Sequence, residues 1–195
     1  MPTIITEFDA VTVENGSVQF VKNGTQEPGT AIGCTGTVEG ETESFSIIKK
    51  CKGATTKKIT KPMQHNLTYS GHIPVQVLRD VFGLKNEGLK PGIYSYGVNS
   101  KGYNFVLTFD VVDEFEDVTK LIAFPNVSSA AGLKIQSIEN GAEEVAMIEL
   151  EFTALPDEVG ELYYEAFVDE LEDPTVADDW HTSFTRELVE LVATP

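Results

Sequence analysis

Most of the chain alternates apolar with polar residues in short stretches, and turn-forming residues interrupt the alternation about every ten positions. Such spacing is typical of antiparallel β-structure, so the sequence predicts a mainly β fold. Two hairpins are predicted within residues 12–49, and further strands follow them. They are predicted at 66–73, 93–98, 103–112, 119–124, 133–139, 144–155 and 160–169.

Three turn signals predict how neighbouring strands pair. Asn15-Gly16 and Asn140-Gly141 are dipeptides that favour two-residue hairpin turns. Gly40 lies between the alternating segments 31–39 and 43–49, which predicts another hairpin there. We therefore expect an antiparallel sheet built largely from sequential strands.

Two segments depart from the alternation and predict helices. Residues 74–84 begin with Pro74, have Gly83 near their end, and repeat apolar residues at helical spacing. Residues 174–184 are expected to form one or two helical turns, and the last ten residues a tail or an added edge strand. The chain has no long internal repeat and no low-complexity linker, so we expect a single domain over 1–195.

The charge of the chain is strongly segregated. Its 195 residues include 14 Lys+Arg and 31 Asp+Glu, a net charge of −17. Residues 1–107 carry a net charge of +2, whereas the acidic C-terminal half, 108–195, carries −19. Both halves could be solvated surface that keeps the protein soluble. Alternatively, a basic surface of one subunit meets an acidic surface of the next, a head-to-tail contact that yields rings or filaments.

A cluster of lysines supplies most of the positive charge of the first half. No acid interrupts the segment 49–61, and small residues at 53–56 lie in its middle, which predicts a flexible basic loop. The loop has no interleaved aromatic residues that could stack on bases, and the whole chain is acidic, so we expect no stable complex with DNA. The lysines are Lys49, Lys50, Lys52, Lys57, Lys58 and Lys61.

The histidines and cysteines form no catalytic or metal-binding pattern. On one strand, His65 and His72 have opposite parity and point to opposite faces. His181 follows two aspartates and a tryptophan, but the pattern lacks an i, i+3 or i+4 ligand pair with a third donor, so a solvated helix end beside a packed tryptophan is expected. Cys34 and Cys51 lack a nucleophile signature, and the first residues lack the basic region of an export signal, so we expect reduced thiols. We expect no enzyme, no metal and no cofactor.

Three ordered stretches of the chain resemble the major tail proteins, or tail tube subunits, of long non-contractile-tailed phages of Gram-positive bacteria. The first is HNLTYSGHIPVQVLRDVFGL, and the last is WHTSFT. Between them lies LIAFPNVSSAAGLKIQSIENGAEEVAMIELEFTALPDEVGELYYEAFVDEL. Together they cover a little under half of the chain, in the order that the family has.

The resemblance implies an antiparallel β-sandwich or half-barrel with one flanking α-helix. It also implies that six subunits form a ring whose strands close into a continuous inner β-barrel, and that the rings stack into a tube that conducts DNA. The partners would be further copies of the chain, the tape measure protein, the tail terminator and the distal tail or baseplate proteins. The protein would be made in the host cytoplasm and reside in the virion tail, with no membrane contact.

Two sets of side chains are candidates for roles in such a tube. Alternation over 144–155 places Glu149 and Glu151 opposite an apolar face, so we predict that they line the lumen and repel DNA; an exposed outer face is the other possible position. The lysines of the basic loop are predicted to contact acids of 113–117 or 169–173 in a neighbouring ring. These inter-ring residues are Lys49, Lys50, Lys52, Lys57 and Lys58.

Two other function classes fit a β-rich acidic chain. One is a soluble β-sandwich module for binding or decoration, similar in role to an adhesin. The other is a β-sandwich hydrolase. Self-assembly would separate a tube subunit from the first class, and turnover of a substrate would favour the second.

Overall fold

The computed structural model of the protein describes residues 4–141 and 143–191, which contain nine β-strands and three short α-helices. The strands are β1 (Thr12–Lys22), β2 (Thr25–Gln26), β3 (Thr30–Ala31), β4 (Cys34–Cys51), β5 (Ala54–His72), β6 (Asn104–Asp113), β7 (Val118–Ser129), β8 (Ile148–Ala154) and β9 (Tyr164–Phe167). The helices are α1 (Val75–Phe82), α2 (Thr175–Trp180) and α3 (Arg186–Val189), and a 3₁₀ turn covers Val168–Glu170.

All nine strands belong to one antiparallel sheet, which confirms the predicted mainly β fold. The main path is β2-β1-β6-β7-β8-β5-β4, with β3 added beside β1 and β9 beside β7. β7 and β8 pair over only three residues of each strand, Val127–Ser129 and Phe152–Ala154. At this short join the sheet folds over on itself. The ring of Tyr69 in β5 therefore stacks on the ring of Phe109 in β6, with the two centroids 5.9 Å apart. We call β1, β2, β3, β6, β7 and β9 the first leaf, and β4, β5 and β8 the second leaf.

The main core lies between the inner faces of the two leaves. Phe105 of β6 is fully buried there, and its ring meets Phe20 of β1 and Phe152 of β8 edge to face. Burial of such rings removes a large apolar area from water and is the main contribution to the stability of the sandwich. Helix α1 covers one end of this core with Val77, Val81 and Phe82.

Helix α1 lies inside the segment 74–84 for which the sequence predicts a helix. Pro74 precedes it, where a missing backbone N–H costs nothing. Gly83 ends it in the left-handed conformation, with φ of 68° and its N–H donated to the carbonyl of Arg79. A side chain at Gly83 would also collide with the carbonyl of Lys101, so the backbone conformation and the close packing both require glycine.

Helices α2 and α3 pack on the outer face of the first leaf and form a second, smaller core. Trp180 and Phe184 are buried against Val106 and Ala123, and Trp180 donates a hydrogen bond to the carbonyl of Ile122. Helical turns over 174–184 are thus present as α2. The last ten residues, predicted as a tail or an edge strand, include α3, and 192–195 lie outside the described residues.

Two of the three predicted hairpin turns are instead parts of continuous strands. Asn15-Gly16 is a β-bulge in β1, where Asn15 has φ of 50° and pairing with β6 resumes at Ser17. Gly40 lies in the middle of β4 and pairs with Leu67 of β5, with no turn there. Both glycines therefore lie inside continuous strands, and the prediction of turns at these positions is wrong.

Two predicted strands are not strands in the described residues. Residues 93–98 form only an isolated bridge between Ser95 and Lys85. Residues 133–139 and 144–147 are coil on either side of a turn at Asn140-Gly141, so that β8 begins only at Ile148. Since an isolated two-stranded hairpin is marginally stable, the turn signal alone does not pair these segments without a third strand.

Among the helices of the described residues, not one has the length and apolarity that crossing a membrane requires.

Candidate functional site: an acidic sheet face and a basic arm

The face of the second leaf that points away from the core is polar. In β8, Glu149 and Glu151 are exposed and alternate with the buried Ile148, Leu150 and Phe152. The alternation that the sequence predicts here is therefore present, and the two carboxylates lie opposite the core. Within this leaf the strand order is β8-β5-β4, so the side chains beside the two carboxylates come from β5 and β4.

Strand register brings acids of β4 onto the same face. Glu151 is aligned with Thr68 of β5, and Thr68 is aligned with Glu39 of β4. Two residues along β4, Glu41 is aligned with Asn66. We call this surface the acidic face: Thr37, Glu39, Glu41, Asn66, Thr68, Ser70, Glu149, Glu151 and Thr153.

Sequence analysis missed the two glutamates of β4, although a signal for them is present. Polar side chains occupy every odd position from 37 to 43, with Val38 and Gly40 between them. Assigning a turn to Gly40 cut this alternation in two and hid the shared face. The continuous strand restores it.

Among the described residues, one basic side chain, that of Lys134, contacts the acidic face. The ammonium of Lys134, from the loop after β7, lies 3.1 Å from a carboxylate oxygen of Glu149 and 3.2 Å from one of Glu151. The hydrogen bond to Glu149, followed by that to Glu151, raises the pKa of Lys134 above its ordinary value. All three groups are well exposed, so the pairs are screened by solvent and leave the face with a net negative charge.

The two longest strands extend beyond the leaf as a two-stranded arm. β8 last pairs with β5 at Ala154 and His65. Farther along, residues 43–64 pair only with each other in the described part of the chain. From Glu43 to Cys51, at about 3.3 Å per residue, the arm reaches roughly 26 Å past the end of β8. We call residues 43–64 the arm.

The arm contains the lysines that the sequence places in a flexible loop. The structure instead has a hairpin, because Lys52 and Gly53 both have positive φ, 50° and 81°, and form a two-residue turn. Lys49 and Lys50 lie near the end of β4, Lys52 lies in the turn, and the remaining lysines, at 57, 58 and 61, lie in the first half of β5. Among the described residues, no carboxylate lies within 4.0 Å of any lysine of the arm.

The arm also exposes large apolar side chains. Phe45 is 43% exposed, Ile47 52% and Ile59 56%, and the register places all three on one side of the hairpin. Lys49 and Lys57 follow on that side toward the tip. A surface that exposes apolar side chains beside basic ones is typical of an interaction site.

Several acids that the sequence offers as partners of the lysines are already hydrogen-bonded within the chain. Asp113 is 1% exposed and accepts the backbone N–H groups of Asp9 and Phe115. The bond from Asp9 is the main reason why the pKa of Asp113 lies below its ordinary value. Glu170 and Asp173 likewise accept internal hydrogen bonds. The structure does not bring these segments and the arm together within one subunit.

His181 takes part in a hydrogen-bond network that sequence analysis missed. Its Nε2 lies 2.8 Å from a carboxylate oxygen of Asp110, and its Nδ1 lies 2.8 Å from the hydroxyl of Thr108. Asp110 also accepts a hydrogen bond from the Asn15 amide. The order hydroxyl, imidazole, carboxylate is that of a nucleophile triad, but Thr108 is fully buried and out of reach of a substrate. The network holds the segment after Trp180 on the first leaf.

The other candidate ligands are dispersed. His65 packs edge to face against Phe124 and Tyr163, whereas His72 is exposed on the opposite side of β5. Burial lowers the pKa of His65. Cys34 and Cys51 are exposed free thiols near opposite ends of β4. Over 4–141 and 143–191, no group of three or more His, Cys, Asp or Glu is placed to hold a metal ion.

Comparison with known proteins identifies no family for the chain. No protein-family model matches the chain, and no curated protein matches it. Among solved structures, the chain is similar to the tube-terminating cap of the anti-feeding prophage, determined by cryo-electron microscopy. The two are 10% identical, with a TM-score of 0.46 over 84% of this chain and 95% of that chain. A likeness at this level assigns no function.

Proposed function

We propose that the chain is a structural subunit of a bacteriophage tail tube, which acts by self-assembly and has no enzymatic activity. The observation that carries this proposal is the acidic face. Across three strands it bears hydroxyl, amide and carboxylate side chains, with Glu39, Glu41, Glu149 and Glu151 among them. Solvated protein surfaces usually mix both signs of charge, and this one is negative except where Lys134 reaches it.

In the proposed tube the acidic face lines the lumen. Duplex DNA carries about one negative charge per 1.7 Å, so a basic or neutral wall would hold it through many contacts. A wall of carboxylates repels the phosphates instead and lets the duplex slide. The DNA passes through the tube without specific binding.

The free edge of the second leaf supports ring formation. β4 is the last strand of the sheet path, and its outer edge has no strand partner among the described residues. Open edges of this length invite pairing with another chain, and ring closure protects them. If six copies each contribute three strands, a closed barrel with 40° tilt has a backbone diameter of roughly 36 Å.

The proposed partners follow from this arrangement. Copies of the chain form hexameric rings that stack into the tube, and the tape measure, tail terminator and distal tail or baseplate proteins meet its interior and its ends. The proposed location is the virion tail. The regional resemblance of the sequence to major tail proteins supports the same assignment.

Electron microscopy of the concentrated protein tests the proposal. We expect rings or tubes with a central channel, formed by the purified chain alone or when tail-initiation proteins are added. Light scattering at matched concentrations and salt should show the same assembly in solution. Particles that stay monomeric in every condition, initiation proteins included, contradict the proposal and favour a soluble binding or decoration module.

A further inference from the structure

We propose that the arm of one copy binds the loop formed by residues 133–141 and 143–147 of a second copy that is stacked on it along the direction of the strands. The proposal rests on the proposed self-assembly and names the surface that receives the arm. It replaces the acidic segments 113–117 and 169–173 as the expected contact.

The loop and the arm lie at opposite ends of the second leaf. β8 begins at Ile148, opposite Gly71 of β5, and ends at Ala154, opposite His65, where the arm starts. Residues that precede β8 therefore continue past the end of the leaf that is away from the arm. Consistent with this, the sulfur of Met147 lies against Gly36, at the beginning of β4.

The tip of the arm cannot contact the loop of its own subunit. Gly36 and Cys51 lie near the two ends of β4, and at about 3.3 Å per residue they are separated by up to roughly 50 Å. Even a fully extended loop, roughly 23 Å from Met147 to Asn140, would fall short of the tip of the arm. A contact between the two surfaces therefore joins different copies, head to tail, and repeats along a stack.

The loop is complementary to the arm: both expose apolar side chains, and their charged side chains are of opposite sign. Ile135 and Ile138 are 84% and 85% exposed, and Val145 is 75% exposed. Such a group of exposed apolar side chains on one loop is typical of a surface that binds a partner. Glu139 and Glu144 are exposed beside them. The arm presents the complementary combination of isoleucine, phenylalanine and lysine side chains on one side of a hairpin.

The two limbs of the loop enclose a cleft that could receive side chains of the arm. The cleft has a volume of about 710 Å³, and Ile138, Glu139, Glu144, Val145 and Met147 line it. Apolar and acidic groups thus face the same space. An isolated hairpin around Asn140-Gly141 is only marginally stable. The arm, bound in the cleft, would give the two limbs of the loop an additional surface to pack on.

Disulfide trapping tests the contact with a thiol that the arm already carries. Cys51 lies next to the turn of the arm, and replacing Cys34→Ser leaves it as the single cysteine. Glu139→Cys or Glu144→Cys then adds a thiol to the loop. Glu116→Cys and Glu172→Cys, which place the thiol in the two alternative acidic segments, are the matched controls.

After mild oxidation of assembled protein, we expect a ladder of disulfide-linked oligomers on a non-reducing gel from the loop variants. Its yield should exceed that of the controls by about tenfold or more, because docked thiols have a high effective concentration. Assembled tubes in which the control thiols cross-link as well as the loop thiols, or in which the loop thiols do not cross-link, overturn the inference and leave the tube itself standing. Absence of any assembly by microscopy contradicts the tube and the contact together.

Charge reversal gives a second readout on the same contact. Lys49→Glu with Lys57→Glu, and separately Glu139→Lys with Glu144→Lys, should each reduce the amount of sedimentable assembly. Combining the four changes should restore it, provided that each variant has the circular dichroism spectrum of the wild type. Failure of the combination to recover assembly counts against the pairing.

Discussion

The same two strands, β4 and β5, behave differently in their two parts. Within the leaf, β5 pairs with β8 on its far side, and Leu67 and Tyr69 are buried in the core. In the arm, both faces of the hairpin are exposed, and no other strand of the described residues accompanies it. The leaf uses its apolar residues to fold the subunit, whereas the apolar residues of the arm contribute almost nothing to the folded monomer.

This difference supports the proposed role of the arm in assembly. A two-stranded ribbon is marginally stable alone, so the arm depends on the leaf for its strand geometry. Its apolar side chains gain little until a second surface removes them from water. Substitutions in the two regions should therefore affect different measurements.

The largest expected effect separates core from arm in the free energy of unfolding. Phe152→Ala removes a fully buried ring that contacts Phe105, and we expect a loss of about 3–5 kcal/mol. Ile59→Ala in the arm should change the stability of the monomer by less than about 0.5 kcal/mol. Urea unfolding of the dilute monomer measures both. Comparable losses in the two variants would mean that the arm packs on the body.

A smaller effect concerns the pH dependence of the body. Asp113→Asn removes the charge that accepts backbone N–H groups, including that of Asp9. Since the folded-state pKa of Asp113 lies below its ordinary value of 3.8, its stabilisation is present above that pH and disappears as pH falls through the folded-state value. The wild type should therefore exceed the variant in stability at pH 6, and the gap should close toward pH 2. A gap that is independent of pH would argue against the charge.

The smallest effect on the monomer is expected for the lysines of the arm. Replacing all five predicted inter-ring lysines with serine should leave the unfolding free energy within about 0.5 kcal/mol of wild type, because solvated charges contribute little. Tube length or yield should fall, as measured by electron microscopy. Full-length tubes at normal yield would show that these lysines are only solvated surface. The replaced residues are Lys49, Lys50, Lys52, Lys57 and Lys58.

Local signals in the sequence predicted those features that depend on local rules. Pro74 and Gly83 bracket α1, and strict alternation placed Glu149 and Glu151 opposite the core. The turn signals at Asn15-Gly16 and Gly40 gave wrong predictions, because glycine and asparagine also occur in β-bulges and inside paired strands. Which meaning applies depends on neighbours that are distant in sequence.

The surfaces that carry the proposed function depend on the same long-range order. Glu39 joins Glu151 on one face only through the register of β5 between them. Lys134 meets Glu149 because the loop after β7 follows the edge of β8. The contact of His181 with Asp110 needs the packing of α2 on the first leaf. Periodicity along a single strand contains none of these relations.

The central claim is that the acidic face lines the lumen of a DNA-conducting tube. Its most direct test is DNA ejection from purified virions whose tail tubes contain the double variant Glu149→Lys, Glu151→Lys, followed against ionic strength. Glu158→Lys with Glu161→Lys makes the same charge change on two exposed residues and is the matched control, because Glu158 lies beside Phe184 on the outer face of the first leaf. We expect assembled tubes with slow or incomplete ejection, most severe at low salt, because the lumen would then bind DNA by counterion release, and normal ejection from the control. Normal ejection at low salt from tubes shown to contain the first variant would contradict the claim.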